Sequence, residues 1–123
     1  MKLFSFEKLD VWKLSMTLTK SVYELTDSFP DKEKFGLASQ IQRASISITS
    51  NLAEGSSRIS GKEQARFSEI SFGSMLEVLN QLIIARELKY ISETKLNNLR
   101  PLIEEIANKL NSLRKYQLTK DVK

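Results

Sequence analysis

Apolar residues recur at spacings of three and four along most of the chain, a pattern typical of helices with one buried face. One such stripe predicts a helix over residues 7–28, and Phe29-Pro30 ends it because the residue before a proline is pushed out of the α region. A second stripe predicts a helix over residues 34–54. The two stripes consist of Val11, Leu14, Leu18, Val22 and Leu25, then Leu37, Ile41, Ala44, Ile48 and Leu52.

A polar turn separates the second predicted helix from the third. Gly55 is placed to leave the second helix in a left-handed conformation. Ser60 followed by Glu63 has the capping-box pattern and predicts a third helix over residues 61–91. Ser92 caps a fourth helix, over residues 93–116, in which Pro101 predicts a kink or a restart. Because the apolar pattern fades there, we expect residues 117–123 to be a frayed tail.

Four amphipathic helices joined by short links predict a single all-α domain over residues 1–123, folded as an antiparallel up-down-up-down four-helix bundle. The third helix is apolar nearly all round, and one core in a chain of this size cannot cover that surface. We therefore expect a homo-oligomer whose interface uses this helix. The predicted interface residues are Phe72, Leu76, Leu79, Ile83 and Ile84.

One polar pair in the second and third helices predicts an ion pair. If these helices are antiparallel about a turn near Arg58, Arg43 comes within about a helical turn of Glu77. Glu77 lies in the most apolar helix, where a buried carboxylate is seldom left unpaired. We predict an Arg43–Glu77 pair with a structural role, and ligand binding is the less favoured alternative.

The residue types present exclude most site chemistry. The chain has no Cys and no His, which excludes disulfides, His-containing di-iron sites and Ser-His or Cys-His nucleophile pairs. A magnesium site made only of carboxylates stays formally open, but the acids are scattered. We expect no catalytic residue, no metal and no cofactor, so the protein is not expected to be an enzyme. No apolar run is long enough to span a membrane, and we expect a cytoplasmic protein.

The net charge of +4 is concentrated at the end of the chain. From residue 109 onward there are five basic residues and one acid, so this segment alone carries the whole excess. A basic segment is typical of RNA-binding surfaces, but it also occurs where a helix end complements its own dipole. The candidate nucleic-acid-binding residues are Lys109, Arg114, Lys115, Lys120 and Lys123, with Tyr116 as the aromatic available for base stacking.

Several short motifs occur in a specific order. They are F-x-x-L-x-V-W at 6–12, F-P-x-x-E at 29–33, G-L-x-S-Q-I-x-R-A at 36–44, S-I-x-x-N-L-A-E-G at 47–55, F-G-S-x-x-E at 72–77 and L-K-Y-I at 88–91. Over about residues 6–113 the chain resembles the bacterial four-helix-bundle proteins encoded within intervening sequences of 23S rRNA genes. It is also similar to the accessory protein of diversity-generating retroelements. The resemblance implies a pentamer with a role linked to RNA or DNA.

Two functions remain in competition. The first is a non-enzymatic oligomer that binds RNA, or an RNA–protein complex, through its basic residues. The second is a protein–protein scaffold or accessory subunit without nucleic-acid contact. Five copies of the +4 segment gather a charge of about +20 if they lie on one rim, which favours salt-sensitive binding that does not depend on sequence.

Overall fold

The computed structural model describes residues 1–121 and contains four α-helices. They are α1 (Asp10–Thr26), α2 (Leu37–Gly55), α3 (Gly61–Glu87) and α4 (Glu93–Thr119). Two short 3₁₀ turns, Ser5–Lys8 and Asp31–Glu33, precede α1 and α2. There is no β-strand within residues 1–121, and the all-α prediction is confirmed.

One apolar core joins the four helices. Helix α2 packs on α3, α3 packs on α4, and α1 lies against both α2 and α4. Each large aliphatic side chain that is fully buried stabilises the fold by about 1.5–3 kcal/mol. The largest of these are Leu18, Ile41, Ile48, Met75, Leu82, Leu96, Ile106 and Leu110. None of the helices in the described part of the chain has the apolar length that crossing a bilayer requires.

Serine caps begin α3 and α4. The hydroxyl of Ser60 accepts the N–H of Glu63 at 3.1 Å, and that of Ser92 accepts the N–H of Lys95 at 3.1 Å. Both predicted caps are confirmed. The left-handed exit predicted at Gly55 is wrong, because no glycine in residues 1–121 has a positive φ. Gly55 provides space instead, since a Cβ there would lie 2.7 Å from the Cβ of Phe67.

Lys89 adopts the left-handed conformation, with φ of 63°. The N–H of Tyr90 donates to the carbonyl of Ala85, and the N–H of Lys89 donates to that of Arg86, at 2.8 and 2.9 Å. These two bonds form a Schellman motif, which satisfies carbonyls at the end of the helix. Helix α3 therefore ends at Glu87, four residues before the predicted end.

Helix α4 continues beyond its predicted end. It runs to Thr119, so the fraying expected from residue 117 is wrong for 117–119. Gln117 is buried there, and its Oε1 accepts the hydroxyl of Ser68 at 2.7 Å. Pro101 lies inside this helix and not at a restart. The expected fraying of residues 122 and 123 lies outside the described residues.

Candidate nucleic-acid interface

The α2–α3 turn, the start of α3 and the end of α4 meet at one end of the molecule. The side chain of Gln64 joins them, because its Nε2 donates to the carbonyl of Arg58 at 2.8 Å and its Oε1 accepts from Nζ of Lys120 at 3.1 Å. The carboxylate of Asp121 accepts the N–H groups of Gly61 and Lys62, both at 2.8 Å. We call this surface the basic end, defined by Arg58, Lys62, Arg66, Arg114, Lys115 and Lys120.

Three of these residues come from the turn and from α3, and sequence reasoning did not predict them. Arg58, Lys62 and Arg66 are all exposed. The guanidinium carbons of Arg58 and Arg66 lie 4.6 and 5.9 Å from the ring centre of Phe67, so cation–π attraction holds both arginines at the surface. The spacing of Lys62 and Arg66, four residues apart on a helix, was the signal available in the sequence.

The predicted basic residues divide between two surfaces. Arg114, Lys115 and Lys120 belong to the basic end. Lys109 is partly buried in a different groove, between α1 and α4, which Asp10 and Glu105 also line. Lys123 lies outside the described residues. Arg114 and Lys120 thus contact α3, through Glu69 and Gln64, and Lys115 is exposed on the same turns of α4.

Acidic neighbours balance part of the charge at the basic end. Arg114 is paired with Glu69, with Nε to Oε1 at 2.7 Å. Arg58–Glu54 at 3.6 Å and Arg66–Glu63 at 3.9 Å are exposed pairs, each worth about 0.2–1 kcal/mol. The acids Glu69, Glu54, Glu63 and Asp121 carry four negative charges. The basic end has six positive charges, so its net charge is +2.

Three lysines at the basic end remain available to a ligand. Within residues 1–121, Lys62, Lys115 and Lys120 take part in no ion pair. Tyr116 is 60% exposed, and Nζ of Lys120 lies 5.2 Å from its ring centre. Ammonium groups that form no ion pair, together with an exposed aromatic ring, are suited to phosphates and unpaired bases.

The predicted ion pair between Arg43 and Glu77 is wrong for this structure. The register does place them level, because Ser47, four residues after Arg43, accepts a hydrogen bond at 2.8 Å from the hydroxyl of Ser74, three residues before Glu77. Both charged side chains are nevertheless exposed, and among residues 1–121 they form no ion pair within 4.0 Å. The need to pair a buried carboxylate does not arise, and an exposed pair gains little.

The five predicted interface residues fall into two groups. Leu76 and Ile84 are 48% and 39% exposed, on the outward side of α3. Phe72, Leu79 and Ile83 are partly buried and pack against the core of the same chain. Ile70 is a further exposed apolar residue of α3.

Glu33 and Tyr90 form a hydrogen-bonded pair that links the α1–α2 connection to the α3–α4 connection. Two hydrogen bonds, from the N–H of Leu37 at 3.1 Å and from the hydroxyl of Tyr90 at 2.8 Å, lower the pKa of Glu33. The same bond to Glu33 raises the pKa of Tyr90. The pair holds the start of α2 in place. No group of three or more Asp or Glu side chains in residues 1–121 is arranged to hold a metal ion.

Comparisons with known proteins agree with the helical architecture. A family model described as 23S rRNA-intervening sequence protein matches residues 7–112. A solved structure from Bacteroides thetaiotaomicron, a protein of unknown function from the S23 ribosomal protein family, superposes with a TM-score of 0.61. It is 18% identical and covers 92% of this chain and 99% of its own, a likeness that shows the fold alone. No curated protein matches the chain in sequence.

Proposed function

Since the chain belongs to the family of 23S rRNA-intervening sequence proteins, we propose that it is a non-enzymatic, cytoplasmic protein that binds RNA through its basic end. One observation carries this proposal. Lys62, Lys115 and Lys120 are exposed and take part in no ion pair among the described residues, and Nζ of Lys120 lies near the exposed ring of Tyr116. Family membership gives the RNA context only through the name that the family carries.

The chemistry of the basic end suits binding that ignores RNA sequence. Each lysine that neutralises a phosphate releases a counterion, so three contacts to a single strand give a slope of log K against log salt of about −2. Stacking one base on Tyr116 adds about 1–3 kcal/mol without choosing among bases. Binding should therefore be strong at low salt and weak at physiological salt.

The test is an electrophoretic mobility shift with rRNA fragments between about 50 and 200 mM salt. The test variant replaces Lys62, Lys115 and Lys120 with Ala. The control variant replaces Lys20, Lys32 and Lys95, exposed lysines away from the basic end, and so loses the same charge. We expect the test variant to lose most of the affinity and the salt slope, and the control to keep both. Equal losses, or no binding by the unmodified protein near 50 mM salt, would contradict the proposal.

Deleting the end of the chain is a poorer test. Gln117 and Asp121 contact Ser68 and the first N–H groups of α3. Removing them disturbs the start of α3 as well as removing charge, so point substitutions of lysines separate binding from folding.

We further propose that the helices alternate in direction and that copies of the chain assemble, with the pentamer of the family resemblance as the expected state. Residue numbers fall on one helix as they rise on its neighbour, as in the hydrogen bonds joining Gln64 to Lys120 and Ser68 to Gln117. The apolar outward side of α3 supports the assembly. Five copies oriented alike would bring the net +2 of each basic end together on one rim.

A second candidate function is a protein scaffold, favoured by one feature of the opposite end. A groove of about 510 Å³ lies between the end of α1 and the start of α2, and Phe35 at its edge is 89% exposed. Such an exposed aromatic is typical of protein-docking sites. A protein recovered in a pull-down after nuclease treatment, and lost with Phe35→Ser, would favour this function over RNA binding.

A further inference from the structure

A groove between α3 and α4 borders the basic end, and we propose that it receives one unpaired RNA base. It has a volume of about 230 Å³ and is lined by Ser68, Glu69, Phe72, Leu110, Asn111 and Arg114. This inference rests on the proposed RNA binding and adds a preference to it. The RNA bound would be single-stranded or looped, because a base inside a duplex cannot enter a side-chain groove.

The lining combines the two kinds of surface that a base requires. Leu110 is buried and Phe72 is partly buried, so the inner part of the groove is apolar and includes an aromatic ring. Asn111 is exposed at its edge, and its amide makes no hydrogen bond with another side chain or the backbone in residues 1–121. An amide offers both a donor and an acceptor, as the edge of a base does, and aromatic rings stack on base faces.

The ion pair between Arg114 and Glu69 gives the groove a phosphate contact. Both residues line it, and their side chains are 38% and 56% exposed. An exposed pair is weak, so a phosphate that approaches the groove can replace Glu69 as the partner of Arg114 with little loss. Arginine binds phosphate in the same forked geometry as carboxylate. Arg114 then contributes to RNA binding although Glu69 neutralises it in the free protein.

The first experiment compares an RNA hairpin carrying a five-nucleotide loop with a fully paired duplex of the same number of phosphates. Stacking one base is worth about 1–3 kcal/mol, so we expect about a tenfold preference for the loop. Phe72→Leu removes the ring and keeps an apolar side chain, and Asn111→Ala changes an exposed residue that the fold does not need. Each should reduce the preference toward equality and leave the salt slope unchanged. Phe35→Leu and Asn108→Ala, which lie outside the groove, are the matched controls.

The outcomes separate the groove from the proposed function. If the unmodified protein binds both RNAs and the two groove variants keep the loop preference, the groove proposal is overturned and RNA binding stands. If the groove variants lose the salt slope instead, they act through charge or folding, and the groove proposal is again overturned. If the unmodified protein binds no RNA, both proposals are overturned.

A second measurement tests the groove without RNA. Titration with cytidine or adenosine monophosphate, followed by NMR, should shift the side-chain amide signals of Asn111 and leave those of Asn108 in place. Inorganic phosphate at the same concentrations, which can reach Arg114 but offers no base, should shift them less. An equal shift with phosphate would identify an anion site and overturn the proposal for a base, as would no shift with either nucleotide.

Discussion

At the scale of single residues, Gly61 sets how closely the start of α3 approaches the end of α4. A Cβ at this position would overlap the backbone carbonyl of Gln117, and a backbone group cannot rotate away as a flexible side chain can. We expect Gly61→Ala to lower the free energy of unfolding by about 1–3 kcal/mol, the usual effect of overpacking. The measurement is urea denaturation followed by circular dichroism.

Gly73 in the same helix is the matched control. A Cβ there would meet nothing within 4 Å. Gly73→Ala should therefore raise the free energy of unfolding by up to about 1 kcal/mol, because alanine favours a helix interior more than glycine does. Similar effects of the two substitutions would mean that close approach at Gly61 is not what the glycine provides.

The hydrogen bond between Tyr90 and Glu33 gives stability a dependence on pH. The pKa of Glu33 is lowered in the folded protein, so its contribution is present above the unfolded pKa and is lost as pH falls through the folded value. The pKa of Tyr90 is raised, so its contribution is present below the unfolded pKa and is lost as pH rises through the folded value.

Replacing Tyr90 with Phe separates these contributions. In Tyr90→Phe the pKa of Glu33 should rise toward its ordinary value but stay below it, because the bond from the N–H of Leu37, the larger cause of the lowering, remains. NMR titration of the Glu33 carboxyl carbon measures this change. Tyr23→Phe is the control, since Tyr23 makes no side-chain hydrogen bond in residues 1–121. An unchanged Glu33 pKa in Tyr90→Phe would contradict the role given to the hydroxyl.

At the scale of elements, the four helices could be predicted because each buries an apolar stripe whose period is visible in the sequence. The serine caps could also be predicted, because a serine just before a helix with a glutamate in its first turn is a signal contained in a few neighbouring residues. The end of α4 could not, since polar contacts to residues far away in sequence, Gln117 to Ser68 and Asp121 to Gly61, hold its last turn. Lys62 likewise joins Lys120 on one surface only once α3 and α4 have packed.

Asp121 illustrates how one helix completes another. Its two carboxylate oxygens accept the first two N–H groups of α3, and Ser60 accepts the third, which satisfies donors that a helix start leaves free. We expect Asp121→Ala to lower the free energy of unfolding by about 1 kcal/mol, as the loss of a cap does. Lys115→Ala, an exposed change nearby on α4, should alter it by less than about 0.5 kcal/mol. Equal effects in thermal or urea unfolding would argue against the cap.

At the scale of the whole molecule, the surface divides into regions with different chemistry. The basic end carries the unpaired lysines, and the opposite end is joined by Glu33 and Tyr90. Between them the outward side of α3 leaves Leu76 and Ile84 exposed. Leu76 and Ile84 neither belong to the basic end nor line the groove between α3 and α4, so assembly through these two residues and RNA binding do not use the same side chains.

The assembly can be tested by placing charge on that side of α3. Light scattering at micromolar concentration should give the unmodified chain a mass near five times 14.1 kDa and the double variant Leu76→Glu, Ile84→Glu a mass near 14.1 kDa. The variant should dissociate because an interface would bury unpaired carboxylates, which costs several kcal/mol. Ile59→Glu, a fully exposed position in the α2–α3 turn, should keep the larger mass. A mass near 14.1 kDa for the unmodified chain would refute the assembly.

The same variant links assembly to RNA binding. If copies gather their basic ends on one rim, an RNA touches lysines from several copies and the salt slope exceeds the value of about −2 expected for one copy. Dissociation by Leu76→Glu, Ile84→Glu should then bring the slope down to that value, although no residue of the basic end has changed. A slope that is the same in both proteins, with their masses different, would mean that each copy binds RNA by itself.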